Sequence, residues 1–309
     1  MKIGIKLLSR EWDPSPSTLR TWIEIIESSG ADYTVMGDHI LGVAPAQQKA
    51  GWDKAWVHQS SHRTRYTVED RWHEPFVTLG FIAAMSRLEL ATGVLVLPQR
   101  NTALVAKQAA QLDILCEGRL RLGVGVGWNA AEFESVGAPF KDRGSRIEEQ
   151  IRLLRQLWTE DVVTFSGNFH TLNAAGIAPR PVQQPIPVWI GGGSLAKGIE
   201  TAGRPLRRIG AMADGWCTDS ATYPDDNTRG AIAVIRQSAV EHGRDPASIG
   251  IDARMYVVKM GRDGFAAQVG QWKKLGATHI SIDAAGLGLQ ANAEGAATLR
   301  ELVDLARGR

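Results

Sequence analysis

The chain has 309 residues, 44% of them hydrophobic and 22% charged, with a formal net charge of +2 and a pI near 8.6. That profile suits a globular protein in water and is too weakly basic to argue for a nucleic-acid partner. Cys116 and Cys217 are the only cysteines, which argues against a disulfide framework or a Cys-based zinc site and points to a reducing compartment. The charged start and the lack of any apolar run of membrane-spanning length make the cytoplasm the expected location.

In chain order, residues 3–7 read as a first strand. Leu19, Trp22, Ile23 and Ile26 repeat at helical spacing, and Gly30 stops that helix. Ala31 to Met36 reads as a second strand that ends in Gly37-Asp38-His39. Residues 42–74 hold no sustained apolar period; Trp52, Trp56 and Trp72 sit there among Gln, Lys, His and Arg, and a connection of that length is usually functional. Phe76 to Met85 is expected to be helical, Leu88 to Leu97 a strand closed by Pro98, and Thr102 to Cys116 a helix stopped by Gly118.

Next comes Arg119 to Asn129, where Leu120, Leu122, Val124 and Val126 alternate with Arg and Gly, as in a strand. Residues 130–144 read as mixed, and Ser145-Arg146-Ile147-Glu148 as a capping box opening a helix whose inner face is Ile147, Ile151, Leu154, Leu157 and Trp158. Val162–Phe165 and Asn168–Leu172 suggest a small hairpin around Ser166-Gly167. Val188-Trp189-Ile190 is a short strand closed by Gly191-Gly192-Gly193-Ser194. The pairs that follow are a helix over 195–210 with a strand from Ala213 to Thr218, and a helix from Asn227 to His242 with a strand from Ile249 to Lys259. A helix from Phe265 to Leu275, a strand from His279 to Asp283 and a helix from Ala293 to Arg307 complete the chain.

Eight strands, most followed by a helix, predict an α/β fold with a parallel sheet, and the count favours a closed (β/α)8 TIM barrel over an open sheet. The chain is read as one barrel domain over 1–309, with insertions near 40–74 and 161–185. In such a barrel Asp38, His39, Leu97, Trp128, Asn129 and Gly191 to Ser194 share the face at the strand C-termini. Gly125 to Asn129 and Gly191 to Ser194 are glycine turns after strands, able to present backbone N–H groups to a phosphate or to serve only as tight turns. Neither carries the Lys-Ser or Lys-Thr of a nucleoside-triphosphate loop, and neither completes a dinucleotide fingerprint, since Ala130 stands where a third glycine is required.

These blocks, taken together and in order, resemble the bacterial-luciferase-like superfamily of flavin and deazaflavin oxidoreductases. The resemblance is carried by Gly37-Asp38-His39, Ala91 to Pro98, Ala106 to Ala110 with Gly118-Arg119, Leu120 to Asn129 with Glu132-Phe133, Arg143-Gly144, and Pro185 to Gly192. Within the superfamily they are most similar to the branch that uses coenzyme F420, an 8-hydroxy-5-deazaflavin. The resemblance implies a (β/α)8 barrel with insertions, often a homodimer, and hydride transfer at C5 of the deazaflavin. It implies a non-prolyl cis peptide in the third strand, behind the ring, matched by Gly93-Val94. By the same match Asp38 lies near the ring, and Gly125, Val126, Gly127, Trp128 and Asn129, with Gly191, Gly192 and Gly193, hold the phosphate end.

Hydride transfer needs donor and acceptor held face to face with water excluded. It also needs an acid or base to balance the proton, and His39 is the candidate catalytic residue. The other reading of His39 is a structural imidazole bonded to Asp38; Asp38 reads equally as a helix N-cap, and Trp128 equally as core. Basic residues that suit an anionic cofactor tail are Lys49, Lys54, Arg63, Arg65, Lys197, Arg204, Arg207 and Arg208, each also readable as solvated surface. His58-x-x-x-His62 has the spacing of a helical metal pair but no third ligand, and no metal is expected. The alternative of the same fold is an FMN-dependent monooxygenase supplied by a partner reductase, and a third reading is a barrel that binds a flavin without catalysis. A small-molecule substrate is expected, its determinants falling in 8–16, 40–74 and 161–182.

Overall fold

The computed structural model describes residues 1–7, 13, 15–42, 44, 66–195, 198–219 and 221–309. Lys49, Lys54, Arg63, Arg65, Lys197, His58, His62, Trp52 and Trp56 lie outside the described residues.

Eight parallel strands close into a barrel. Its members are β1 (Lys2–Lys6), β2 (Tyr33–Met36), β3 (Glu89–Thr92) continued by β4 (Leu95–Val96), and β5 (Leu120–Gly125). After β6 (Val163–Ser166) and β7 (Thr171–Ala175), which stand outside the ring, come β8 (Val188–Gly191), β9 (Gly215–Cys217), β10 (Gly250–Tyr256) and β11 (His279–Asp283). The ring closes where β3 pairs with β5, Leu90 against Leu120 and Ala91 against Arg121. Strands β2 and β5 are buried along their whole length, as expected where helices cover one face of a parallel sheet and side chains fill the other.

The single strand expected over Leu88–Leu97 is broken at the cis Gly93–Val94 peptide. Glycine is needed on both sides of that break for reasons of space. A Cβ on Gly125 would lie 2.6 Å from Val94 Cγ2, and one on Gly191 would lie 2.7 Å from Val94 Cγ1. The Val94 side chain therefore bulges between the ends of β5 and β8, and those strands close around it only because neither carries a side chain there.

The lower, N-terminal half of the barrel interior is filled by a polar and aromatic plug. The Arg121 guanidinium is 4.6 Å from the Tyr33 ring centroid and 4.5 Å from that of Trp189. It bonds Glu89 at 2.9 Å and Asp252 at 2.8 Å. Gly4, Gly215 and Gly250 make room for these rings, since a Cβ on any of them would lie 2.2–2.4 Å from Tyr33 or Trp189. Outside the ring, the amphipathic helices bury their apolar stripes, including the fully covered Trp22, Trp158 and Trp272.

Several expected boundaries move. The Ser145–Glu148 capping box is not used: the helix runs Arg143–Thr159 from Asp142, and Glu148 pairs with Arg208 at 2.8 Å instead. Ala130–Ser135 forms a short helix within the segment read as mixed. The strand expected to reach Lys259 ends at Tyr256, and Val257–Leu275 is helical with a kink at Gly261. The hairpin is antiparallel, but its second arm starts at Thr171. The turn is fixed by the Glu149 carboxylate, which accepts the backbone N–H groups of Asn168 and Phe169 at 2.7 and 2.9 Å and bonds His170 Nδ1 at 2.7 Å. Among the described residues no helix is long and apolar enough to cross a membrane.

Candidate active site

A cavity of about 310 Å³ opens at the C-terminal ends of the barrel strands. Gly37, Asp38 and His39 line it from β2, Gly93, Val94 and Val96 from the third strand, and Gly125, Val126, Gly127 and Trp128 from β5. Gly191 and Gly192, Cys217 to Asp219, Arg254, Lys6 and Trp72 complete the wall. A larger cavity of about 500 Å³ lies on the outer helical face among Arg229, Arg236 and Lys274, but no acid–base pair or glycine turn converges there.

Two of the expected contacts lie off this wall. Asn129 is fully buried; its Oδ1 accepts from Ala131 N at 3.1 Å and caps the helix that follows, while its Nδ2 donates to the Tyr66 hydroxyl. Gly193 turns with φ +69°, and a Cβ there would lie 2.7 Å from Leu206 Cδ2, so it serves the approach of the following helix. Gly127 turns with φ +73° and packs against Val96 and Phe133, whereas Gly192 has open space around it.

Asp38 lines the cavity, and its carboxylate is shielded from solvent. Oδ1 accepts from Arg100 Nη2 at 2.8 Å and Oδ2 from Val96 N at 2.9 Å. The side chain is 1% exposed. It ties the end of β2 to the turn after the third strand, and it neither caps a helix nor bonds His39.

His39 is held by a different carboxylate. Its Nδ1 lies 3.0 Å from Glu132 Oε1. The same carboxylate accepts from the Tyr66 hydroxyl at 2.8 Å, Gln99 Nε2 at 2.9 Å and Ile40 N at 3.2 Å. Burial pushes the Glu132 carboxyl up, but the His39 hydrogen bond and charge, with Gln99 and Tyr66 donating, outweigh it and leave the group below the ordinary glutamate range. An ionised carboxylate only accepts, so Nδ1 carries the hydrogen and Nε2 is the nitrogen left for exchange. Burial also raises the Tyr66 phenol well above its ordinary value, with Glu132 adding to the effect, which keeps Tyr66 a donor. Tyr66, Trp72 and Trp128 surround the imidazole, with centroids 4.1, 4.4 and 6.0 Å away.

The sequence reading missed Glu132 as the partner of His39, along with Tyr66, Lys6 and Arg254. The signal for Glu132 was its place one helical turn after the glycine strand, where Asn129 caps the helix that carries it. Of the cations suggested for a cofactor tail, Arg208 is committed to Glu148. Among the described residues no group of three or more His, Cys, Asp or Glu is placed to hold a metal ion.

The residues present fit a flat redox ring. Val94 offers an apolar bulge, the glycines around it keep the floor low, two tryptophans wall the side, and one imidazole and one guanidinium face the interior. Together the fold and site define a closed α/β barrel with a histidine, held by a buried carboxylate, on the wall of a cavity at the strand C-termini.

A family model of luciferase-like monooxygenases matches residues 1–259, and the chain belongs to that family. It is 38% identical to an uncharacterised protein of Mycobacterium tuberculosis, over 66% of this chain and 72% of that one. It is 29% identical to an F420-dependent glucose-6-phosphate dehydrogenase of Gordonia bronchialis, over 85% of this chain and 69% of the relative. In structure it is similar to an F420-dependent secondary alcohol dehydrogenase in complex with an F420–acetone adduct (TM-score 0.74, 17% identity, 99% of each chain). It is also similar to a monooxygenase from Streptomyces bottropensis (TM-score 0.73, 17% identity, 98% of each chain). At such identities these two structures speak for the fold.

Proposed function

We propose that this chain is an F420-dependent oxidoreductase that moves a hydride between C5 of the deazaflavin and a small organic substrate. The observation that carries the reading is His39, held from behind by the buried Glu132, on the wall of the cavity that Val94 also lines. When bound, the deazaflavin supplies a two-electron carrier that works by hydride transfer.

The chain's own residues do the rest. Val94, flanked by Gly125 and Gly191, presents the surface against which the ring lies, and Trp72 and Trp128 exclude water from one side. His39 Nε2 takes the proton from a substrate hydroxyl in the oxidising direction, or returns it in the reducing direction. Glu132 fixes the tautomer and offsets the charge that His39 gains. Gly127, Gly192 and the backbone around them receive the phosphate end. The unit acts in the cytoplasm as a homodimer, which light scattering on the purified protein checks.

The F420-dependent relative supports this cofactor, while the family description and the Streptomyces neighbour favour a second reading, an FMN-dependent monooxygenase. Titration with oxidised and reduced F420 and with FMN separates them. Binding of F420 with hydride transfer to an alcohol or carbonyl acceptor is expected. Tight FMN binding without F420 affinity reverses the order, and F420 binding without transfer to any acceptor leaves only a cofactor carrier.

A further inference from the structure

Arg254 sits at the C-terminal end of β10, diametrically opposite the third strand in the ring. Its guanidinium crosses the barrel interior, and Nη2 donates to the Gly93 carbonyl. Gly93 leaves space for it, since a Cβ there would come within 3.0 Å of that nitrogen. The backbone N–H of Arg254 is anchored on Thr218 Oγ1 at 3.0 Å. The side chain is thus a built part of the cavity floor.

Among the described residues its charge is not matched by an ion pair. Lys6, on the same wall, is paired with Asp283 at 2.7 Å, and deeper in the barrel Arg121 is paired with Asp252 and Glu89. Arg100, behind Asp38, is paired as well. Among the described residues Arg254 has no carboxylate within 4.0 Å, and its Nε is buried without a partner. Asp219, which lines the same cavity, uses Oδ1 to accept from Ala221 N at 3.1 Å and Thr222 Oγ1 at 2.6 Å and forms no ion pair with Arg254. A half-buried cation without a counter-charge is costly until an anion arrives.

We propose that Arg254 is the cation that favours the reduced form of the ring bound in this cavity. Two-electron reduction of a flavin or a deazaflavin loads negative charge onto the N1–C2=O edge of the pyrimidine, and a planar guanidinium suits such an edge. The inference rests on the cofactor reading above and adds to it a direction: the protein biases the couple toward reduction. Binding one state more tightly than the other is the only way a site shifts such an equilibrium.

The test is the dissociation constants of oxidised and reduced F420, measured anaerobically by fluorescence on wild type, Arg254→Met and Arg254→Lys. Wild type is expected to bind the reduced form more tightly. Arg254→Met should lower that preference about tenfold, equivalent to about 30 mV for a two-electron couple, with the oxidised affinity little changed, and Arg254→Lys should keep most of the preference. An unchanged ratio in Arg254→Met, or equal weakening of both forms, overturns the proposal. The midpoint potential of the wild-type complex needs no variant: it should lie above that of free F420, and equality overturns the proposal whether or not the variants fold. If FMN binds in place of F420, the same measurements apply to the FMN couple. Binding of neither cofactor overturns the cofactor reading and this inference with it, whereas binding with an unshifted potential overturns this inference alone.

Discussion

Glu132 Oε1 lies 3.0 Å from His39 Nδ1 across a sequence separation of 93 residues, and this contact leaves Nε2 as the imidazole nitrogen outside the bond to the carboxylate. If His39 Nε2 handles the proton, His39→Asn should lower kcat/KM by about 10²–10⁴, with cofactor affinity within a few-fold of wild type. Glu132→Gln keeps the shape but removes the charge, and should reduce kcat on the order of tenfold or more while KM moves little. Steady-state kinetics beside circular dichroism read this out, and equal losses of folding and activity would reduce the pair to a structural contact.

The Val94 bulge makes a second prediction. Gly191→Ala places a methyl 2.7 Å from Val94 Cγ1, an overpacking that costs about 1–3 kcal/mol, and it should weaken cofactor binding by pushing the bulge into the cavity. Val94→Ala removes the opposing methyls, so the double variant should regain stability relative to the sum of the singles. Thermal melts of the four proteins give the coupling directly. Strict additivity would mean that Gly191 is required for its backbone and not for the space it leaves to Val94.

The barrel was legible in the sequence because its strands are short apolar runs, several of them closed by glycine or proline, and the helix Ala293–Arg307 has the bounds its periodicity predicts. The glycine blocks marked where the cavity would open. Their cause was not legible, because Gly125 and Gly191 answer to a side chain on another strand. Arg121 looked like the polar half of an alternating strand; it is buried inside the barrel by partners on β3 and β10 that no local pattern announces. Val257 and Val258 read as strand because they are β-branched, yet they begin a helix. The family resemblance placed Asp38 near the ring; its carboxylate turns to Arg100, 62 residues away in sequence, a partner that no local pattern announces.

The Arg121 plug yields a third prediction. Asp252 accepts from Arg121 at 2.8 Å, from the Tyr33 hydroxyl at 3.0 Å and from Ser281 at 2.7 Å. Burial pushes the Asp252 carboxyl up, but Arg121 and Ser281 hold it below the ordinary aspartate range. Asp252→Ala leaves a buried guanidinium short of charge and should cost about 3–5 kcal/mol. Urea denaturation measures the loss, and a cost below 1 kcal/mol would show that Glu89 alone satisfies Arg121.

His279 is expected to weaken the fold on the acid side. Its ring packs edge-on against Trp189, with centroids 4.8 Å apart. Burial, then the nearby Arg121 charge, pulls its pKa down from 6.5 to about 4. The folded protein therefore keeps His279 neutral at pH values where the unfolded chain protonates it. Its contribution is complete above about pH 6.5 and is lost as pH falls toward 4, by up to about 3 kcal/mol in all. Burial lowers His73 as well, in the same direction, whereas the depressed carboxylates Glu132, Glu149 and Asp252 act at lower pH. Wild type should thus begin to lose thermal stability below pH 6.5, with the depressed carboxylates adding to the loss only from about pH 5 downward, and His279→Gln, which cannot take the proton, should show a visibly flatter pH dependence between pH 6.5 and 5. Parallel melting curves for the two proteins from pH 7 to 4.5 would remove His279 from the account, because its neutral burial is the only property the substitution leaves in place.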